Sequence, residues 1–549
     1  MDNDIQYVAY IDFVLLFPLK LSYFFVTHCW GYFEFDIFDF TPYISYCSMK
    51  NSIVFCFIAL FFYSSIQAQR KYESTAQSIG IASIEKFKAF LSLPNDAAKP
   101  DEIIANIAWA KSELEALNFE VKTLETNSLP LLLANFIVKE SRPTLAFYMH
   151  LDGQAVDPLK WDQKDPYTPV LKSKNETGFQ TIDWNHLEDE NAAEYRIFAR
   201  SSADDKGPFV MLLTALNYLK KSKKTPAFNL KIILDFEEEQ SSPGLPDAVK
   251  QYKEQLLADL LLILDGPVHS SGKPTLVFGN RGIATLTLTS YGPLMPQHSG
   301  HYGNYITNPA LTLAQALASM KDQYGRVLIP GFYNGIEIDE TAKKILQTVP
   351  AEEKAIKERT QTKGNDLVGS TYQESIQYPS LNIRGMKSGW VGAEARTIIP
   401  ATATAELDIR LVVESDPYKL IEGVRVHLID QGFTVLDHAP TKQERMTYEK
   451  LIQMNTKVAY PAFRTDPSAK GGKWLNTILT DYYGEQPVVI RTSGGSVPIS
   501  PFVTELGVPA IGVPTVNLDN NQHSPNENLR IGNYLIGIES FLAILTTKY

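Results

Sequence analysis

Three apolar segments of the chain run directly into acidic or imidazole side chains. Residues 145–149, 230–236 and 260–264 have the composition of buried strands, and the side chains that follow them are His150, Glu237, Glu238, Glu239 and Asp265. Sites in open α/β sheets form at the carboxyl ends of strands, so these side chains are expected to meet at one sheet edge. Several carboxylates at one edge repel one another unless cations neutralise them, which favours a metal site over solvated turns.

Two other segments supply further candidate ligands. Asp204 lies just before a predicted helix that follows Gly207 and Pro208, and His523 lies in a late polar loop. Two histidines with several carboxylates suit zinc, manganese or cobalt, and the sequence does not distinguish among these metals.

The start of the chain predicts export. Met49 and Lys50 precede an apolar run at residues 53–63, and small and polar residues then lead to Ala68, as in a secretory signal. We therefore interpret residues 1–68 as an upstream extension and a signal peptide, with translation starting at Met49 and the mature protein secreted or periplasmic. All of the chain's cysteines lie before residue 68, which leaves histidines and carboxylates as the metal ligands of the mature protein.

A membrane hairpin at residues 7–26 and 53–63 is the alternative interpretation of this region. The first run contains Asp12, Pro18 and Lys20, and the second is short for a bilayer span. We therefore expect no stable membrane span after removal of the signal. The net charge of -11, with no long run of lysine or arginine, argues against nucleic acid as a partner.

The pattern after residue 70 predicts an α/β protein of two domains. Residues 69–279 alternate helices and buried strands and are expected to form the first part of a catalytic domain with a mixed or parallel sheet between helices. Residues 280–440 are expected to form a smaller inserted α+β domain, with an irregular insertion at about 322–377. Residues 441–549 are expected to return to the catalytic domain.

The order of short motifs along the chain resembles the di-zinc metallopeptidase family of carnosinase, glutamate carboxypeptidase, acetylornithine deacetylase and aminoacylase, and above all its longer dipeptidases. Each motif is weak alone, whereas seven in the same order are specific. The matching stretches are residues 149–152 (MHLD), 202–207 (SADDKG), 238–242 (EEQSS), 265–266 (DG), 298–303 (HSGHYG), 494–498 (GGSVP) and 523–527 (HSPNE).

The resemblance implies the ligands of two divalent ions. Asp204 would bridge them, His150 and Asp265 would complete one site, and Glu239 and His523 would complete the other. Asp152 would hydrogen-bond His150 and fix its tautomer. The resemblance also implies a cis peptide between Asp204 and Asp205, and a ferredoxin-like fold for the inserted domain, which would act as a lid and dimerisation domain.

The resemblance also implies roles for residues around the metals. Glu238 would act as general base and then general acid for a water activated between the two ions. His298, on the lid, would help to hold the tetrahedral oxyanion, from the partner subunit in dimeric relatives. Arg410 would bind a substrate carboxylate, beside exposed backbone N–H groups of the motif that contains Gly494, Gly495 and Ser496.

Several functions remain open at this level. The leading prediction is a secreted metal-dependent amide-bond hydrolase, a dipeptidase or carboxypeptidase that acts on small peptides and forms a homodimer. An N-acyl amino acid deacylase would use the same residues, and a secreted binding protein without catalysis is the alternative outside the enzymes. A serine hydrolase is disfavoured because no G-x-S-x-G motif occurs.

Overall fold

The computed structural model of the protein describes residues 71–549. The predicted upstream extension, the signal peptide and the start at Met49 lie outside the described residues. The described part of the chain folds around two sheets, one in each of the two predicted domains. No helix within residues 71–549 combines the length and the apolar composition needed to cross a bilayer.

The larger domain contains an eight-stranded mixed sheet. Its central strands are parallel, and antiparallel pairs lie towards the edges. Its strands, in spatial order, are β1 (Glu120–Leu124), β2 (Leu131–Phe136), β7 (Asn229–Asp235), β3 (Thr144–His150), β8 (Leu260–Ile263), β20 (Ala510–Gly512), β9 (Thr275–Val277) and β19 (Val488–Ile490).

Helices cover both faces of this sheet. Alternate side chains of β3 point to opposite faces, so Phe147 packs in one hydrophobic cluster and Tyr148 in another. The helices on the Phe147 side are α1 (Glu73–Leu91), α2 (Pro100–Ala116), α3 (Lys206–Lys221), α13 (Lys470–Tyr483) and α15 (Ile531–Thr546). The helices on the Tyr148 side are α4 (Leu245–Gln251), α5 (Lys253–Leu256) and α14 (Ser500–Thr504). This arrangement confirms the predicted α/β catalytic domain.

The smaller domain contains a five-stranded sheet. Its strands, in spatial order, are β13 (Ser380–Lys387), β15 (Thr402–Leu411), β11 (Gly282–Tyr291), β17 (Leu451–Tyr460) and β16 (Thr434–Leu436). The first four are antiparallel and follow the 2-3-1-4 order of a ferredoxin-like sheet, and β16 adds a short parallel edge. Two helices, α7 (Pro309–Ser319) and α11 (Pro417–Asp430), pack against one face of the sheet.

The small sheet extends beyond the predicted boundary at residue 440. The strand β17 pairs with β11 from Leu451 to Tyr460, so the fourth strand of the small domain lies within the segment that the sequence assigned to the catalytic domain. The sequence of β17, LIQMNTKVAY, does not alternate regularly between polar and apolar residues, so its pattern did not assign it to the small sheet. The chain returns to the large domain after residue 460.

The remaining elements connect these layers. The predicted irregular insertion at 322–377 contains three short helices, α8 (Glu340–Thr348), α9 (Glu353–Thr360) and α10 (Tyr372–Ser375). A four-stranded sheet flanks the large domain, and it consists of β21 (Asn528–Arg530), β6 (Arg196–Phe198), β4 (Val170–Asn175) and β5 (Gly178–Ile182). The short pairs and helices that complete the fold are β10 (Gly279–Asn280) with β18 (Phe463–Arg464), β12 (Gln297–His298) with β14 (Ile398–Ile399), α6 (Ser299–Tyr302) and α12 (Lys442–Thr447).

Candidate metal centre

Two adjacent parallel strands bring the first candidate ligands together. His150 is the last residue of β3, and Asp265 lies two residues beyond the end of the neighbouring strand β8. Asp204 reaches the same edge from the loop before α3, and its Oδ1 atom lies 2.8 Å from Nε2 of His150. These three residues place one ligand atom each within 4.8 Å of one another.

A second group of ligands forms on the other oxygen of Asp204. Its Oδ2 atom lies 3.0 Å from Nε2 of His523, which in turn lies 3.2 Å from Oε2 of Glu239. Glu239 stands in the turn that follows β7, the strand on the other side of β3. These three residues also place one ligand atom each within 4.8 Å of one another, and Asp204 belongs to both groups.

The ligand atoms fit a pair of divalent ions. Zinc lies about 2.0–2.2 Å from nitrogen and oxygen ligands, so the ligand atoms of one ion lie at most about 4.4 Å apart. Small side-chain adjustments would close either group around an ion. The donors are imidazole nitrogens and carboxylate oxygens, which suit zinc, manganese and cobalt alike. The predicted metal ligands therefore meet at one place and divide into two sites that share a carboxylate.

Burial and mutual repulsion raise the pKa values of the outer carboxylates. The pKa of Glu239 rises to about 7, because the side chain is largely buried and lies near the negative charge of Asp204. The pKa of Asp265 rises to about 6 for the same two reasons. Carboxylates that resist ionisation in the absence of a cation are the expected signature of a site that a metal would neutralise.

Asp204 behaves in the opposite way. Burial alone would raise its pKa, but hydrogen bonds from His150 and His523 hold the pKa well below the usual value. The pKa of His523 rises to about 9, mainly through its bond with Asp204. In the metal-free protein, the imidazoles of His150 and His523 therefore stabilise the charge of Asp204, a task that the metal ions would take over when bound.

Asp152 contacts both His150 and the turn that carries Glu238 and Glu239. Its side chain is fully buried, and its Oδ1 atom lies 3.2 Å from Nδ1 of His150, which leaves Nε2 of that ring for a metal. The same carboxylate accepts the backbone N–H groups of Glu238 and Glu239 at 3.1 and 3.0 Å. The hydrogen bond to His150 is the contact that the resemblance implies, and Asp152 also holds the turn that carries the acidic pair.

Glu527 holds the loop of the shared ligand, a role that the sequence did not reveal. Its buried carboxylate accepts the backbone N–H groups of Ser201, Ala203 and Asp204 at 2.9, 2.9 and 3.0 Å. It also receives Nη1 of Arg200 at 2.7 Å, and both side chains are almost completely buried. Glu527 ends a motif that the resemblance identifies, so its position was visible although its contacts were not.

The loop of Asp204 contains two further features. The peptide between Asp204 and Asp205 is cis, as the resemblance implies. Asp204 also receives the side-chain amide of Gln522 at 3.4 Å, and Glu239 receives that of Gln154 at 2.7 Å. Neither glutamine stands in a pattern that would have identified it from the sequence.

Glu238 faces a cavity of about 670 Å³ that also contains the metal-ligand cluster. Burial raises the pKa of its carboxyl well above the ordinary value, and the charges of Asp265 and Glu239 add to the increase. A carboxyl group with a raised pKa beside such a cluster can accept a proton and return it near neutral pH.

The small domain supplies the opposite wall of the cavity. Arg410, on β15, lines the wall and donates from Nη1 to Oγ of Ser496 at 2.8 Å, while its Nε lies 3.6 Å from Asp408. The hydroxyl of Tyr460 bonds to the same serine, and burial raises the pKa of Tyr460 to about 12, so this phenol stays neutral. The sequence did not indicate Tyr460 as part of the site.

The glycine motif and the lid histidine differ in their positions. Gly495 and Ser496 line the cavity, whereas Gly494 does not, and a Cβ added there would stand 3.5 Å from Oη of Tyr372. His298 does not line the cavity. It lies exposed on the small domain, accepts the N–H of Gly300 at 3.0 Å and packs against His301.

Comparisons with known proteins agree with this geometry. Cys-Gly metallodipeptidase DUG1 of Candida albicans is 26% identical over 483 residues, which cover 84% of this chain and 92% of that protein. The Beta-Ala-His dipeptidase of Homo sapiens is 24% identical over 484 residues, with 84% and 89% covered.

Solved structures share the whole fold. An M20 family metallo-carboxypeptidase of Sulfolobus solfataricus is 27% identical, with a TM-score of 0.69, and the match covers 84% of this chain and 98% of that one. Human carnosine dipeptidase 1, at 21% identity, supports the fold alone, with a TM-score of 0.67 and coverage of 86% and 97%. The model of peptidase family M20/M25/M40 matches residues 146–547. The chain therefore belongs to peptidase family M20/M25/M40 and is a metallopeptidase.

Proposed function

We propose that this metallopeptidase is a secreted dipeptidase that releases the C-terminal residue of small peptides. The observation that carries the proposal is the pair of ligand groups that share Asp204 and open into the same cavity as Arg410. The names of the relatives support it, since the Candida albicans and human proteins are named as dipeptidases and the Sulfolobus solfataricus protein as a carboxypeptidase.

The five candidate ligands would hold two divalent ions, for which we propose zinc. His150 and Asp265 would bind one ion, Glu239 and His523 the other, and Asp204 both. When bound, such ions lower the pKa of water and polarise the substrate carbonyl. The protein's own contribution is to fix these side chains through Asp152 and through the loop that Glu527 holds.

Glu238 carries the proton in this proposal. Its carboxylate accepts a proton from the attacking water and returns it to the amine that leaves. Its neighbour Glu239 has a different task, because its Oε2 atom points to His523 and belongs to a ligand group. Asp152 keeps the two tasks separate by binding both backbone N–H groups of the pair.

The substrate carboxylate binds on the small domain in this proposal. The planar guanidinium of Arg410 can donate two parallel hydrogen bonds to a carboxylate. Ser496 holds the guanidinium from one side, and Asp408 lies on the other. Arg410 would thereby place the C-terminal residue of a peptide against the small sheet and the preceding peptide bond towards the metal ligands.

We also propose a homodimer in which His298 acts in the partner's cavity. His298 does not line the cavity of its own chain and stands exposed on the small domain. Large apolar side chains are exposed in the same domain, among them Leu294 (80%), Tyr305 (89%) and Val391 (84%). Exposed apolar surface of this kind is typical of an interface with another protein.

We also propose that the protein is exported and that its signal peptide is removed. Cleavage of the signal near Ala68 would leave a mature chain that begins at about residue 69, and intact-mass spectrometry of protein secreted by a bacterial host would test this. A secreted chain that retains residues 49–68 would contradict the proposed cleavage.

The substrate class is tested with metal-loaded protein. We expect hydrolysis of simple dipeptides to exceed that of matched N-acetyl amino acids, and a chelator to abolish it until zinc or manganese is restored. Faster hydrolysis of the N-acetyl amino acids would replace the dipeptidase with a deacylase. Hydrolysis that the chelator does not change would contradict a metal mechanism.

A further inference from the structure

The cavity wall opposite the metal ligands is one open face of the small sheet. Antiparallel pairing sets Arg410, Ile283 and Tyr460 side by side across β15, β11 and β17, and it sets Asp408, Thr285 and Lys457 side by side one step along. On β15 and β11 alternation puts both rows on the same face, since the residues between them, such as Ala284, are buried beneath the helices of the domain. On β17 a register shift between Val458 and Tyr460 keeps Lys457 and Tyr460 on this face, and both line the cavity.

The charged residues that this domain contributes to the cavity lining are all cations. They are Arg384, Arg410 and Lys457. Arg410 is held between Ser496 and Asp408, and Arg384 lies 3.5 Å from Glu406. Lys457 is exposed, and among residues 71–549 it has neither an ion pair nor a side-chain hydrogen bond. The wall therefore carries an ammonium group that nothing in the described chain neutralises.

A neutral-side-chain dipeptide would leave this charge unmatched. Such a peptide has one carboxylate, which Arg410 would bind, and nothing for a second cation. Complementary charge in a binding site increases selectivity for the matching ligand, and an unmatched cation favours a ligand with an additional anionic group. The natural position for that group is the side chain of the C-terminal residue, because Arg410 holds that residue against the same sheet.

The positions of the two cations fit one amino-acid residue with two carboxylates. Strand spacings place the Cα atoms of Arg410 and Lys457 about 12 Å apart, two strands across and two residues along. Both side chains are long and lie on one face, so their charged groups can converge on a ligand that lies above Ile283 and Thr285, which also line the cavity.

We propose that the enzyme prefers dipeptides that end in glutamate or aspartate, with Lys457 contacting the side-chain carboxylate while Arg410 binds the α-carboxylate. The proposal rests on the proposed dipeptidase function and assigns its substrate class. Lys457 is a specificity-determining residue in this scheme and takes no part in bond cleavage.

Two nearly isosteric substrates test this proposal. With zinc-loaded protein at low ionic strength, we expect kcat/KM for Ala-Glu to exceed that for Ala-Gln by about ten-fold. In the Lys457→Gln variant, kcat/KM for Ala-Glu should fall by about five- to ten-fold, while that for Ala-Gln should stay within two-fold of wild type. The Lys442→Gln variant is the matched control, because Lys442 is exposed and does not line the cavity.

Salt provides an independent readout. Raising the ionic strength should reduce kcat/KM for Ala-Glu relative to Ala-Gln in the wild type, and Lys457→Gln should lose most of this difference. Equal use of both dipeptides by the wild type, or an unchanged preference in Lys457→Gln, would overturn the acidic specificity and leave the dipeptidase function intact. Failure of the metal-loaded protein to cleave either dipeptide would overturn both.

Discussion

Asp204 presents its two oxygens to two different imidazoles, 2.8 Å from His150 and 3.0 Å from His523. This arrangement makes one carboxylate common to both ligand groups. The two groups differ in how firmly the fold holds their histidines, because His150 lies at the end of a buried strand whereas His523 is about half exposed on a loop. A shared ligand couples the two ions, so a residue that orients either imidazole affects the whole centre.

Asp152 offers a test at the residue scale. In the Asp152→Asn variant the amide cannot accept from His150 and from both backbone N–H groups at once, so one donor loses its partner. We expect zinc affinity to fall about 10- to 100-fold, with a similar loss of kcat/KM. Competition with a chromophoric chelator measures the affinity.

The Asp481→Asn variant serves as the control for this prediction, because Asp481 is exposed on α13, outside the cavity. Zinc affinity of Asp152→Asn within two-fold of the control would show that Asp152 does not orient the histidine.

The site residues that the sequence predicted are placed by local structure, whereas those that it missed are placed by contacts between distant segments. His150 and Asp265 could be placed because buried apolar strands lead directly into them. Tyr460 and Lys457 could not, because they reach the cavity through the pairing of β17 with β11, and antiparallel register depends on contacts between distant segments. Motif order brought Asp204 and His523 into the prediction without indicating which oxygen faces which ring.

Among the elements of the fold, the ends of three strands and the buried side chain of Glu527 position the site. The neighbouring strands β7, β3 and β8 deliver Glu239, His150 and Asp265 to one edge of the sheet. The loop before α3 has no strand to position it, and Glu527 holds it by accepting the backbone N–H groups of Ser201, Ala203 and Asp204. The ion pair with Arg200 anchors this carboxylate.

Glu527 therefore gives a prediction for the stability of the metal-free protein. Glu527→Gln leaves the buried guanidinium of Arg200 without its charge partner and turns an N–H group towards backbone donors. We expect a loss of about 2–3 kcal/mol in the free energy of unfolding of the metal-free protein. Chemical denaturation measures this loss, and Glu505→Gln, an exposed change on the surface, is the control.

A free energy of unfolding within about 0.5 kcal/mol of wild type would contradict the role of Glu527 in holding this loop.

The strands and helices predicted for the large domain were otherwise close to those of the structure, since the major elements lie where apolar periodicity placed them. The small sheet extends past residue 440 because β17 pairs with β11, a contact between distant segments that the irregular sequence of β17 does not indicate.

In the whole molecule, residues of both domains line the cavity. The large domain contributes the ligands and Glu238, and the small domain contributes Arg410 and the cationic wall. The exposed His298 remains outside the cavity of its own chain. In the proposed homodimer, the partner's copy of His298 would reach this cavity and add to what the two domains contribute.

Subunit mixing tests this third contribution. His298→Ala and Glu238→Gln homodimers should each be nearly inactive. A mixed dimer should regain one working cavity, in which an intact Glu238 faces the partner's intact His298. Random assembly of equal amounts would restore about a quarter of wild-type activity, because half of the dimers are mixed and each has one working site. Activity of the mixture no higher than the sum of the two homodimers would contradict the exchange of His298.

The Glu238→Gln variant, in metal-loaded protein, separates metal binding from proton transfer. We expect the variant to keep two ions per chain by elemental analysis and to retain the wild-type fold. We expect kcat for a dipeptide to fall by at least about 1,000-fold, since the amide cannot accept the proton of water. Two bound ions with near-normal turnover would show that Glu238 is not the base and would contradict the account.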